Sequence, residues 1–239
     1  MSYKLVAGSL SFKAQNKDIL NNLSFTIEPG QFVTILGENG AGKTTLLDLI
    51  MGFSKSTAGS ISIADQNPYE DHWKLRQDIC YLSEKVDIPA DISVAEFLDF
   101  NRFFYKNYSK KIESELCKTF KMNKNLRIGN LSAGETRRAQ IVGALSSEPK
   151  LIIVDEITAV LDIVGRRRFM DVLFHLVKEK KCTVVMATNI LEDLESYISH
   201  LFLLSKGELI LSKSLTDFRR THENLSFSES IVKELDKDD

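Results

Sequence analysis

Gly37-Glu38-Asn39-Gly40-Ala41-Gly42-Lys43-Thr44-Thr45 follows directly on the apolar run Phe32-Val33-Thr34-Ile35-Leu36. The stretch fits G-x-x-x-x-G-K-[ST] in its proper setting, a strand feeding a turn that opens a helix. Glycine lacks a Cβ, so its backbone N–H groups can approach a polyphosphate closely. Those groups would wrap a β-phosphate, while the helix that follows aims its positive end at the same charge. Lys43 would reach the β- and γ-phosphates, and the Thr44 hydroxyl would ligate Mg2+. A glycine-rich turn with no ligand has no use for Gly-Lys-Thr-Thr at a strand–helix junction. The motif therefore predicts a bound nucleoside triphosphate, ATP or GTP.

Upstream of the loop, Leu5–Phe12 and Leu23–Glu28 read as β segments around the polar turn Gln15-Asn16-Lys17-Asp18, and Pro29-Gly30 marks the next turn. Downstream, a helix is expected from Lys43 to about Met51, stopped by Gly52. Gly59–Ile63 and Ile79–Leu82 read as strands. The middle of the chain changes character. Ser93-Val94-Ala95-Glu96 is a capping box opening a helix through Phe97, Phe100, Phe103 and Phe104, and a second helix is expected from Lys110 to Met122. Its aromatic residues are read as core and interface packing. This part is expected to be a helical subdomain, about residues 85–145, inserted into an α/β core.

The α/β rhythm then resumes. Leu151-Ile152-Ile153-Val154 is a continuous apolar strand, as when both faces of a sheet are covered. Phe169, Val172, Leu173, Leu176 and Val177 form one helical stripe, Cys182–Ala187 a further strand, and Leu201–Leu204 with Glu208–Leu211 a closing hairpin. The main domain is expected over residues 1–220, and residues 221–239 as a mobile or peripheral tail.

Two further motifs carry chemistry. Asp155 and Glu156 end the apolar strand. Asp155 would hold Mg2+ through water, and Glu156 would polarise a water for in-line attack on the γ-phosphate. In Leu131-Ser132-Ala133-Gly134-Glu135, Ser132 and Glu135 form a second capping box, so a helix starts there behind small residues that let a phosphate approach. Alone, that motif reads as an ordinary helix start.

Together these residues resemble the ATP-binding-cassette (ABC) transporter ATPases, from about Leu5 to Phe218. The resemblance implies a P-loop NTPase core with an antiparallel β subdomain and an inserted α-helical subdomain. It makes Gly37–Thr45 the Walker A loop, Leu151–Glu156 the Walker B strand with its catalytic glutamate, Leu131–Glu135 the signature and Ala159–Asp162 the D-loop. It further implies ATP and Mg2+ as cofactors and a head-to-tail pair of cassettes, identical or paralogous. Each ATP would lie between one phosphate loop and the partner's Ser132-Ala133-Gly134-Glu135.

Several positions depart from the family pattern. Glu84 aligns with a glutamine, and its carboxylate could still bind water or Mg2+. Ala133 replaces a signature glycine, which helical φ tolerates. Ile157 stands where a proline is usual. Ala14 aligns with the aromatic that stacks on adenine, leaving Phe12 two residues away as the nearest ring. Asn189 takes the place of the switch histidine; it can donate a hydrogen bond but carries no charge. Asn189 and Ala14 motivate an alternative, a catalytically weak regulatory subunit, and Glu156 with Lys43 argues against it. The segment Phe97–Tyr108 and the ending Leu203–Ser212 are similar to ATPases of type-2 ABC exporters.

Composition limits the remaining classes. The chain has 239 residues, 43% of them hydrophobic, and a formal net charge of -2, which gives no reason to expect nucleic acid as a partner. Cys80, Cys117 and Cys182 lie far apart without metal-ligand spacing and are read as reduced cytosolic thiols. No basic-plus-apolar leader opens the sequence, and no apolar run approaches the roughly 18–20 residues that span a bilayer. A permease would therefore supply the membrane spans, with this chain peripheral on the cytoplasmic face. The long coiled-coil insertions of DNA-repair ATPases and the second cassette of translation ATPases are both missing from the sequence.

Overall fold

The computed structural model describes residues 2–83, 87–156, 161–191 and 194–238. The chain begins with β1 (Leu5–Ala14) and β2 (Lys17–Ile27), antiparallel in register from Leu5↔Ile27 to Ala14↔Lys17. Gln15 and Asn16 turn the hairpin with φ of 48° and 64°. Such a two-residue turn matches the twist of the flanking strands. It lengthens both strands into what the sequence suggested was loop. With β4 (Ala58–Ile63) on the other side of β1, they form a three-stranded antiparallel sheet.

The second sheet holds β3 (Phe32–Leu36), β5 (Ile79–Ser83), β6 (Leu151–Asp155), β7 (Thr183–Ala187), β8 (His200–Ser205) and β9 (Glu208–Ser214). Their spatial order is β5-β6-β7-β3-β8-β9, parallel from β5 through β8, with β9 antiparallel at the edge. Every residue of β3, β6 and β7 is buried. Alternate side chains point to opposite faces of a strand, and here each face meets a different core. Ile152, Val154, Val184 and Met186 join the helical side. Leu151, Ile153, Val185 and Ala187 join the antiparallel sheet and α1 (Lys43–Ile50). That sandwich fixes the carboxyl ends of β3, β6 and β7 side by side, where open α/β sheets bind their ligands.

The helical part contains α3 (Val94–Phe104) and α4 (Lys110–Thr119), which follow the short α2 (His72–Leu75), and it leans on α5 (Ala133–Leu145). The Ser93–Glu96 capping box forms as expected. The aromatic face of α3, read as core and interface packing, divides between the core and the surface. Val94 and Leu98 are buried and Phe97 packs against them, but Phe100, Phe103 and Phe104 are exposed at 66%, 92% and 47%. α4 stops at Thr119, and the chain leaves it through Lys121 at φ 54°. Glu113, almost fully buried on α4, accepts hydrogen bonds from Lys124 and from Tyr108 Oη (2.9 Å) and ties the subdomain together.

After β6 comes α6 (Ile163–Lys180); after β9 come α7 (Leu215–Arg220) and α8 (Phe227–Leu235). The segment expected as a mobile or peripheral tail contains α8, which packs on the main core. A capping box, Ser226 with Glu229, starts α8, and Phe227 and Ile231, one helical turn apart, enter the main core. His222, buried at the end of α7, holds Glu234 through Nε2 at 2.9 Å. The start signal is present in Ser226-Phe227-Ser228-Glu229, and Phe227, Ile231 and Leu235 follow it at i, i+4, i+8 spacing on the face that packs against the core.

Candidate active site

The phosphate loop connects β3 to α1 at the sheet's carboxyl end. Gly37 has no room for a side chain, since a Cβ would stand 2.1 Å from the carbonyl oxygen of Leu204. Gly40 and Gly42 have φ of 88° and 103°, the left-handed region that favours glycine. Gly42 is the N-cap of α1, and no side chain caps that helix. Glu38, Asn39 and Gly40 are exposed, whereas Ala41 is buried and Thr45 half-buried.

Lys43 is buried and folds back into the loop. Its Nζ donates to the carbonyls of Gly37 (2.8 Å) and Glu38 (3.0 Å) and lies 3.9 Å from Glu156 Oε1. Asp155, only 4% exposed, receives hydrogen bonds from Thr44 Oγ1 at 3.3 Å on Oδ1 and from Tyr81 Oη at 3.4 Å on Oδ2. Burial, with the Asp155 carboxylate adding to it, pushes the Tyr81 phenol up to about 12, so it keeps its proton and donates. Tyr81 is a member of the site that the sequence reading missed. It lies on β5, and only the β5–β6 pairing places it near Asp155.

Glu156 leaves β6 with φ 51°, and its N–H donates to the carbonyl of Ala187 at 3.1 Å. A non-glycine residue in that region is held against a cost of roughly 1–2 kcal/mol, and such strain clusters at functional sites. Asn189 is exposed two residues beyond Ala187, past the carboxyl end of β7. Thr188 anchors the segment between them, with its N–H on Ile35 O (3.3 Å) and its Oγ1 accepting from Ile190 N (3.1 Å). Glu84 lies outside the described residues, as do Ile157–Val160 of the motif that follows Glu156. Ser83, just before Glu84, is paired in register with Asp155.

The structure does not bring every expected residue into this cluster. Ser132–Glu135 opens α5 on the helical side. There Ser132 N and Oγ donate to Glu135 Oε2 at 2.9 and 2.8 Å, and Glu135 N donates to Ser132 Oγ at 3.3 Å. The Ser132 backbone hydrogen bond, before the hydroxyl's, holds the Glu135 carboxyl below its usual range, so it is ionised at neutral pH. Ala133 and Gly134 form the helix's first turn. Phe12 lies half-buried on β1 against the inter-sheet core, and Ala14 ends that strand in the open.

A glycine loop on a helix start, a buried lysine inside it, and a hydroxyl–carboxylate pair at an adjacent strand end define a P-loop nucleoside-triphosphate site. The ABC transporter family profile matches residues 20–159. The chain belongs to the ABC transporter family, as one of its ATP-binding, ATP-hydrolysing cassettes. It is 32% identical to the energy-coupling factor transporter ATP-binding protein EcfA1 of Ligilactobacillus salivarius, over 96% of this chain and 86% of that one. It is 31% identical to the zinc import ATP-binding protein ZnuC of Wigglesworthia glossinidia brevipalpis, over 81% of this chain and 79% of that one. In three dimensions it matches the ATP-binding subunit of an ABC transporter with a TM-score of 0.87 at 24% identity, covering 96% and 98% of the two chains.

Proposed function

We propose that this chain hydrolyses ATP to drive a membrane permease, closing head to tail with a second cassette when ATP binds. The observation that carries the reading is the convergence on one loop mouth of the Lys43 ammonium, the Thr44–Asp155 pair and the Glu156 carboxylate. Lys43 neutralises the β- and γ-phosphates, and the loop's N–H groups hold them in place. Glu156, on its strained backbone, takes up a proton from the attacking water as general base. Asn189 donates one neutral hydrogen bond toward the γ-phosphate, and Glu84 orients the same water or shares the cation.

Thr44 and Asp155 fit Mg2+. Asp155 is a buried carboxylate whose named partners are neutral hydroxyls, and hard oxygen donors are what this ion takes. Among the described residues no three His, Cys, Asp or Glu cluster as a metal cage, which agrees with an ion completed by phosphate and water oxygens. When bound, Mg2+ would neutralise charge developing on the phosphates.

The permease supplies the spans: no described helix is long and apolar enough to cross a membrane. It docks, on this reading, into a groove of about 250 Å³ between the sheet and α3, lined by Met51, Phe53, Leu75, Arg76, Phe104 and Tyr105. Exposed Trp73 and Phe103 flank it and suit the apolar face of a short permease helix. This placement puts the chain on the cytoplasmic face. The expectation of export rests on Phe97–Tyr108 and Leu203–Ser212 alone, and a relative named for zinc import does not support it. The site's chemistry is the same for either direction, and cargo contacts belong to the permease.

The alternative, a regulatory subunit that binds ATP and dimerises with slow hydrolysis, is motivated by Asn189 and Ala14. Steady-state ATP turnover of the assembled complex separates the two. The engine reading expects turnover that falls when Phe103→Asp uncouples the permease, with ATP affinity unchanged. ATP-dependent assembly without measurable turnover would instead establish the regulatory subunit.

A further inference from the structure

Three hydroxyl groups form a chain around the Asp155 carboxylate, and only one of them belongs to the phosphate loop. Alternate residues of a strand share a face, so Tyr81 and Ser83 lie on the same side of β5. Asp155 is in register with Ser83 across the β5–β6 pair and alternates with Leu151 and Ile153, whose side of the sheet α1 covers. From β5, Tyr81 Oη reaches Asp155 Oδ2 at 3.4 Å; from α1, Thr44 Oγ1 reaches Oδ1 at 3.3 Å. Ser83, buried, hydrogen-bonds the Tyr81 side chain. Phe53 braces the Tyr81 ring edge-on, with centroids 5.5 Å apart and planes at 77°.

Packing alone does not call for the phenol, since a phenylalanine ring would meet Phe53 equally well. Both hydrogen bonds to Asp155 are longer than a relaxed O–H···O bond, and bonds at a reacting site tighten around the bound ligand. The two donors differ in what they do once a cation is present. Thr44 is itself an oxygen ligand and turns a lone pair outward. Tyr81 remains a donor on Oδ2 and stops the carboxylate from swivelling. A carboxylate held in this way offers a cation one oxygen. Mg2+ needs near-ideal octahedral geometry at short distance, whereas Ca2+ takes more ligands in flexible geometry and often both oxygens of one carboxylate. Pinning Oδ2 therefore suits the smaller ion and withholds an oxygen from the larger.

We propose that Tyr81 is a positioning residue that sets the cation preference of this site, its hydroxyl holding Asp155 Oδ2 so that the other oxygen alone meets the ion and Mg2+ is favoured over Ca2+. This rests on the Thr44–Asp155 reading of the cation site given above.

The test follows Mn2+ held beside ATP on the full chain carrying Glu156→Gln, by electron paramagnetic resonance, while Mg2+ or Ca2+ is added to displace it. The ratio of the two half-displacing concentrations cancels the affinity of the probe, and chelation by ATP itself is common to parent and variant. Tyr81→Phe keeps the ring on Phe53 and removes the hydroxyl. The ratio of Mg2+ to Ca2+ required should rise about tenfold, the low end of what losing a partner of a metal-ligating carboxylate costs in affinity. Ser83→Ala, which loosens the phenol without removing it, should move the ratio the same way by less. The double variant should go no further than Tyr81→Phe alone, because Ser83 acts through the phenol. ATP affinity in the absence of divalent ions and the melting temperature should stay close to the parental values, which a packing defect would not permit. An unchanged ratio in Tyr81→Phe, or a change matched by loss of metal-free ATP affinity, would overturn the role of Tyr81 and leave the cation site standing. Parental Mn2+ binding in Asp155→Asn would instead remove the cation site, and this proposal with it.

Discussion

The phosphate loop and the signature turn are both helix starts offered to phosphate, yet they are built in opposite ways. At α1 the N-cap is Gly42 in a left-handed conformation, and no side chain competes for the helix's leading N–H groups. At α5, Ser132 and Glu135 satisfy each other's backbone donors in a complete capping box, with an ionised carboxylate at the rim. The first site is held ready by the fold, since Gly37 and Gly42 are hemmed in by Leu204 and Leu20. The second is already satisfied without a ligand. A phosphate meeting it would find the Ser132 hydroxyl and the N–H groups the box leaves over, along with a negative charge. On the proposed head-to-tail reading, the difference assigns ATP affinity to the phosphate loop and leaves the signature turn to add discrimination once a partner is present.

The largest effect that could break this contrast comes from the loop itself. Lys43→Ala removes the buried cation from the loop mouth, and turnover should fall on the order of 100- to 1000-fold, as when a preorganised charge donor is lost. Nucleotide titration of the monomer should show weakened ATP binding as well. Unchanged affinity and turnover would dismiss the phosphate-loop assignment.

An intermediate effect concerns Asn189. Replacing a neutral donor by one that can carry charge should raise turnover of the assembled complex by about tenfold, less than a whole donor is worth, while affinity stays constant. Glu84→Gln and the double variant complete the measurement. No gain from Asn189→His, combined with abolition of turnover by Glu84→Gln, would assign the water-orienting task to Glu84.

The smallest effect probes the signature turn. Glu135→Gln keeps an acceptor for Ser132 N–H and removes the rim charge, so ATP-dependent dimerisation should tighten severalfold, and more so at low salt because exposed charges are screened. Equilibrium sedimentation at two ionic strengths would show it. Weaker dimerisation of Glu135→Gln at both would mean that the carboxylate assists assembly.

Much of this contrast is legible in the amino-acid sequence alone. Gly37–Thr45 announces itself because phosphate binding imposes residue types at fixed spacing, and the apolar run Leu151–Val154 announces a buried parallel strand. Ser132–Glu135 reads only as a helix start, since a capping box is the same whether or not a phosphate ever meets it; the family resemblance is needed to give it a role. Tyr81 is out of reach because its place beside Asp155 depends on the strand order that pairs β5 with β6. Which aromatic residues of α3 are core and which lie at the surface is not legible for a related reason: burial there follows Val94 and Leu98, and Phe100, Phe103 and Phe104 are left outside. The tail's helix is legible too, in the Ser226–Glu229 capping box and the spacing of Phe227, Ile231 and Leu235, but its docking on the main core is a tertiary contact that the spacing alone does not specify.

The most direct test of the central claim, that ATP closes two such cassettes so that each completes the other's site, is the molar mass of the Glu156→Gln chain by light scattering with ATP and Mg2+. Its amide keeps the shape but loses the base, so turnover should drop roughly 100- to 10,000-fold and the ATP-bound dimer should accumulate. The account predicts a doubling of mass on adding ATP, reversed when Ser132→Arg is introduced into the same chain. A mass that stays monomeric with saturating ATP, or a dimer indifferent to Ser132→Arg, would contradict it.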